Sequence, residues 1–145
     1  MAPRRLARGT LAVLAWATVV AVVGQFFLAG VGLFGVASME THMLVGYWVP
    51  LLPLLMIVAA LPARADRRTF WLCLGLSALL MLQTSLPYFR GQLPVIAALH
   101  PPNALLIFWL AVVVARRATG LTRREPAASG PARPTAPADR GRVRD

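Results

Sequence analysis

The chain contains no lysine, a single cysteine and only five acidic residues in 145. Each shortage excludes something. One cysteine, Cys73, permits neither an internal disulfide nor a multi-thiolate metal cluster. Fifteen arginines against five carboxylates give a formal net charge of +10, a balance that in a soluble chain would point to nucleic acid. A further shortage removes that partner. Charged residues make up 14% of the chain and hydrophobic ones 58%, where a soluble domain carries roughly a quarter charged residues. The shortage is also local. The 107 residues from Gly9 to Ala115 hold six charges, Glu40, Arg64, Asp66, Arg67, Arg68 and Arg90. What remains is an integral membrane protein with basic ends.

The six charges cut the middle into charge-free segments of 31, 23, 21 and 25 residues, ending at Met39, Ala63, Phe89 and Ala115. A hydrocarbon core of about 30 Å needs about 20 helical residues, so each segment crosses once. In lipid the backbone must pair within its own element, as a helix or a closed barrel. Barrel strands alternate apolar and polar residues. Runs such as ALLIFWLAVVVA (Ala104–Ala115) are apolar all round. The predicted fold is therefore all-α, an integral membrane four-helix bundle with spans at about 11–36, 42–61, 69–87 and 94–115. The short connections imply antiparallel neighbours in an up-down arrangement. A basic N-terminus (1–10) precedes this domain (11–116). The residues from 117 to 145 are Pro, Ala, Gly and Arg with almost no large apolar side chain, the composition of a disordered tail.

Orientation follows from the arginines. Arg4, Arg5, Arg8, Arg64, Arg67, Arg68, Arg116, Arg117, Arg123 and Arg124 fall on one side of the predicted spans, and Arg90 alone on the other. Both termini are thus expected in the cytoplasm. The apolar run of the first span is too long for a signal peptide and lacks a clear small-x-small cleavage site, so that helix is expected to be retained. An all-arginine basic set, with abundant Ala, Val, Leu, Gly and Pro, suggests a GC-rich bacterial genome and hence a plasma-membrane location. Trp16, Tyr47, Trp48, Trp71, Tyr88 and Trp109 read mostly as interfacial anchors.

With charge assigned to orientation, the informative residues are the polar ones inside the spans: Gln25, His42, Gln83, His100 and Asn103. Spans one and three run outward and carry theirs late; spans two and four run inward and carry theirs early. All five therefore collect in the outer half of the bundle. His42 and His100 lie on diagonal helices. With adjacent axes about 8–10 Å apart, the diagonal is roughly 12–14 Å, which leaves room between two inward imidazoles for one flat macrocycle. Bundle cores house cofactors in this way, and histidine is a standard axial ligand of haem iron. At about 1.5 Å per residue the two histidines are offset by around 9 Å in depth, which tilt or a kink at Pro50 or Pro53 can reduce. Gln25, Gln83 and Asn103 are candidates to accept the second imidazole N–H and fix the ligand tautomer. The competing reading is a cofactor-free structural or partner subunit, with the polar cluster as internal hydrogen-bond glue. No Gly-rich phosphate loop, HExxH or Ser–His–Asp set is present, no carboxylate lies within a span, and no internal repeat is evident. There is no catalytic motif to make the chain an enzyme. Partners beyond the lipid bilayer, whether a second copy or a membrane redox protein, are left open.

The segments QFFLAGVGLF (Gln25–Phe34), ETHMLVGY (Glu40–Tyr47), LQTSLP (Leu82–Pro87) and LHPPNALLIF (Leu99–Phe108) resemble an actinobacterial-type family of small four-helix bacterial membrane proteins of unknown function. The resemblance covers about residues 11–116. More distantly, a Glu shortly before a His on helix two, a Gln on helix three and a His on helix four resemble one half of haem A synthase, in which paired histidines on the second and fourth helices of each half hold haem. That resemblance implies a b-type haem with His42 and His100 as axial metal ligands. The chain departs from the synthase in having one half only, in placing Glu40 one residue closer to His42, and in carrying Met43 where an arginine often follows. It implies haem binding and not the synthase reaction.

Overall fold

A computed structural model of the chain describes residues 2–123. Four helical passes, Ala2–Leu33, Met39–Ala63, Arg67–Gly91 and Pro94–Arg123, are long and apolar enough to cross a membrane. No strand occurs among the described residues. Two passes are single helices over most of their length, and two are interrupted where proline removes a backbone donor.

The first pass is α1 (Ala2–Leu33). It turns at Gly35, whose φ of +72° lies in the left-handed region open to glycine. The second is α2 (Met39–Trp48) followed by α3 (Leu51–Ala63). Ser38 caps α2 by accepting from the Glu40 N–H at 3.1 Å. The chain breaks at Val49–Pro50 because neither Pro50 nor Pro53 can donate to the preceding turn; the Leu52 N–H reaches the Val49 carbonyl instead, at 3.1 Å. Helix α3 ends on Arg64 in the left-handed conformation. The third pass, α4 (Arg67–Ser85), starts on an Asp66 cap and gives way at Pro87 to a 3-10 turn over Leu86–Gly91. A single turn, α5 (Pro94–Ala97), leads into α6 (His100–Arg123). Pro101 and Pro102 thus occupy the first turn of α6, where a missing N–H costs nothing. Helix α6 continues past Ala115 to Arg123; residues 124–145, the remainder of the predicted tail, lie outside the described residues.

Helix α1 packs against α3 and α6, and α4 packs against α3 and α6. The first and third passes are therefore diagonal, as are the second and fourth. The buried core comprises Leu11, Ala15, Val19 and Val22 of α1, Val49 after α2, Met56, Ala59, Ala60 and Ala63 of α3, Cys73, Leu76 and Leu80 of α4, and Ile107, Leu110, Ala111, Val114, Ala115 and Ala118 of α6. Its many alanines let the backbones approach closely, as helices do in lipid. Large apolar side chains such as Val20, Phe27, Val58, Leu61 and Trp109 face outward, the arrangement of a bundle whose solvent is apolar. The core occupies the half of the bundle that carries the termini and the α3–α4 turn. Helix α2, in the other half, buries no residue.

Candidate functional site

The loosely packed half encloses a cavity of about 690 Å³ lined by all four passes. Ligand pockets commonly fall between about 300 and 1,000 Å³. Val22, Phe26, Leu80 and Ile107 contribute apolar walls, and Gln25, His42, Gln83 and His100 contribute polar groups. Asn103 is buried behind them. The five polar residues singled out from the sequence thus meet in one place, joined by hydrogen bonds.

The two imidazoles lie edge to ring, with centroids 6.3 Å apart and planes at 72°. The break after Trp48 and the irregular chain between Ser85 and His100 bring them to one layer, where ideal helices would leave them offset. His42 Nδ1 lies 3.1 Å from the Gln25 carbonyl oxygen, and His100 Nδ1 lies 3.1 Å from the Gln83 carbonyl oxygen. A carbonyl can only accept, so in the tautomer with the proton on Nδ1 each ring donates to its glutamine carbonyl and leaves Nε2 unprotonated; at His42 the Gln25 amide nitrogen also stands 3.2 Å from Nδ1, a contact that suits the other tautomer. No hydrogen bond occupies either Nε2 among the described residues, and neither is sealed from the cavity. The sequence suggested side-chain acceptors for these N–H groups; the acceptors are main-chain carbonyls of two of the three residues named.

The glutamine side chains do something else. Gln83 Nε2 donates to the His100 carbonyl at 3.0 Å, and Gln83 Oε1 accepts from Asn103 Nδ2 at 2.7 Å. Asn103 Nδ2 also donates to the Leu79 carbonyl at 3.1 Å, which ties α6 to α4. The Gln25 amide, oriented to satisfy its neighbours, donates to the His42 carbonyl at 3.1 Å and accepts from the Gly46 N–H at 3.3 Å. A Cβ at Gly46 would sit 2.8 Å from the terminal amide group of Gln25, so glycine here admits the glutamine.

The two halves of the site are copies of one device. In each, a glutamine in the later part of one pass precedes a histidine on the following pass by 17 residues. Its backbone takes the imidazole proton and its side chain takes the histidine carbonyl. The equal interval is readable in the sequence, although no repeat was evident from residue similarity. A second residue missed by the sequence reading is Arg90. Assigned there to orientation alone, it lines the cavity.

Far from this site, Asp66 links the opposite end of the bundle. Its carboxylate accepts from the Thr69 hydroxyl at 2.5 Å and from Arg117 Nη2 at 2.8 Å, and Arg117 Nε donates to the Thr69 hydroxyl at 3.1 Å. The Thr69 hydroxyl and then the Arg117 guanidinium hold the Asp66 carboxyl below the ordinary carboxylate range.

Residues 25–88 match a family described as "Family of unknown function (DUF6220)". The match includes Gln25, His42 and Gln83 and ends before His100, so it is shorter than the stretch of resemblance read from the sequence and omits the LHPPNA block. No curated protein and no solved structure matches the chain. The chain, which has four candidate membrane helices, is thus similar over part of its length to a family of unknown function, and the comparisons lend no support to a likeness with haem A synthase.

Proposed function

We propose that this protein is a multi-pass protein of a bacterial plasma membrane, with both termini cytoplasmic, that holds one b-type haem between His42 and His100 in the outer half of its bundle. The observation that carries the reading is the pair of opposed imidazoles with free Nε2 atoms. With a metal–nitrogen bond of about 2.0 Å and ring nitrogens about 1.1 Å from their centroids, two axial imidazoles on one metal stand roughly 6–6.5 Å apart; the rings here stand 6.3 Å apart. The donor set fits as well. A ligating histidine characteristically donates its other ring N–H to a carbonyl, which orients the ring and raises its basicity, and both histidines do so. The cavity walls are apolar, which would exclude water from a macrocycle. His42 and His100 would hold the haem, which would supply one-electron transfer there. The chain's own contribution is to fix two ring orientations before anything binds.

The cofactor-free reading uses the same Gln–His–Asn hydrogen bonds as glue, but leaves both Nε2 atoms and the cavity without a role. Spectra decide between them. Expressed with haem available and purified in mild detergent, the wild type is expected to show a Soret band with sharp reduced-state α and β bands. His42→Ala and His100→Ala should each lose the bis-histidine spectrum. A wild type without a Soret band, or a band indifferent to both substitutions, overturns the proposal.

A further inference from the structure

Among the described residues Arg90 is the one charged residue lining the cavity, and no Asp or Glu lines it. It stands in the last turn of the 3-10 segment Leu86–Gly91, at the end of the bundle where the described residues place no other arginine. Among the described residues it forms no ion pair. The distribution of the other arginines makes this position costly. Arginine is kept away from the translocated side of a membrane protein because it opposes the insertion that the remaining arginines direct. An exposed arginine placed there, beside an apolar chamber and without an ion-pair partner among the described residues, is available to an anion from outside the bundle. Tyr88 also lines the cavity and carries a further hydroxyl.

We infer that Arg90 binds the carboxylate of the molecule that fills the cavity, so that the site takes an amphipathic anion with its apolar body between the histidines and its acid group at the Arg90 end. Arginine is suited to this because its planar fork grips a carboxylate through two parallel hydrogen bonds. The inference rests on the cavity reading above and extends it. It assigns the polarity of the occupant and the way it lies, neither of which the histidines determine.

The test uses metal-free protoporphyrin IX and its dimethyl ester, with binding to the full chain in detergent followed by porphyrin fluorescence. Neither probe carries iron, so the result does not depend on histidine ligation. Arg90→Gln is expected to weaken protoporphyrin IX about tenfold or more, the size of a charge-assisted hydrogen bond. Arg90→Lys should keep part of the affinity. The dimethyl ester, which has no carboxylate, should bind wild type and Arg90→Gln alike. Equal affinity of both proteins for protoporphyrin IX overturns the inference, as does a parallel loss for acid and ester, or a wild type that binds neither. Abolition of the Arg90-dependent share by added phosphatidylglycerol would assign the residue to lipid phosphate and also overturn it. If the iron spectra ignore His42 and His100 while the porphyrin result holds, haem ligation fails and the anion site stands.

Discussion

Each imidazole in the cavity is oriented by the glutamine 17 residues before it, and the precision of that hold depends on small residues. Gly46 is the clearest case. The Gln25 side chain occupies the space where a Cβ would be, and it has little freedom to move while it bridges the His42 carbonyl and the Gly46 N–H. Gly46→Ala should displace the amide and leave polar groups poorly paired, at a cost of roughly 1–2 kcal/mol. Gly75, in the interior of α4, has open space around it. Gly75→Ala should be neutral or stabilising by up to about 1 kcal/mol, since alanine is the better helix former. Unfolding midpoints of the two variants in one detergent test the contrast. Midpoints that fall equally would show that Gly46 has no special role.

At the scale of the element, the ends of α4 behave differently. Its N-terminus is fixed by a charged network: Asp66 caps the helix, binds the Thr69 hydroxyl, and draws in Arg117 from α6. Because the folded carboxyl titrates below its ordinary range, the stabilisation is present at neutral pH and is lost as pH falls below about 4. Asp66 is half exposed, so the ion pair is screened and contributes less than about 1 kcal/mol. Asp66→Asn keeps an acceptor for the cap but removes the charge. It should lower the unfolding midpoint slightly at pH 7 and flatten its decline between pH 5 and pH 3. A variant with the wild-type acid profile would remove Asp66 from the account.

The C-terminal side of α4 shows where sequence reasoning runs out. Four apolar helices were legible because charge interrupts hydropathy only at Glu40, at Arg64–Arg68 and at Arg90. The break near Pro50 was legible because proline deletes a donor in the middle of an apolar run. The stretch from Leu86 to Leu99 was not. It is nearly as apolar as a span, so hydropathy runs straight through it, while the backbone leaves the α-helix at Pro87, makes a separate turn at Pro94 and begins α6 only at His100. The site was legible at the level of which residues matter, since uncharged polar groups are conspicuous inside apolar helices. How they pair was not, because the imidazole partners are main-chain carbonyls, and residue type carries no record of those. Arg90 was overlooked for a related reason: topology already accounted for it as a loop charge.

The molecule as a whole divides into a packed half and an open half. The packed half carries the termini and nine arginines of the described residues; the open half carries Arg90 and Glu40. The proposed orientation is testable by labelling. In a Cys73→Ala background, a membrane-impermeant maleimide applied to intact cells should modify Ala37→Cys, in the turn after α1, and spare Thr122→Cys near the end of α6. Permeabilisation should expose the second. The opposite pattern would reverse the orientation and place the cavity on the cytoplasmic side.

Most of the alanine-rich packing between α1, α3, α4 and α6 lies away from the cavity, with Val22, Leu80 and Ile107 common to both. An occupant therefore adds its binding free energy to a bundle that already stands, rather than supplying a missing part of its core. Manufacture and loading become separate events in the life of the protein. On the proposed function, the chain would be inserted and assembled first and its complement would arrive later, at a time set by supply instead of by synthesis.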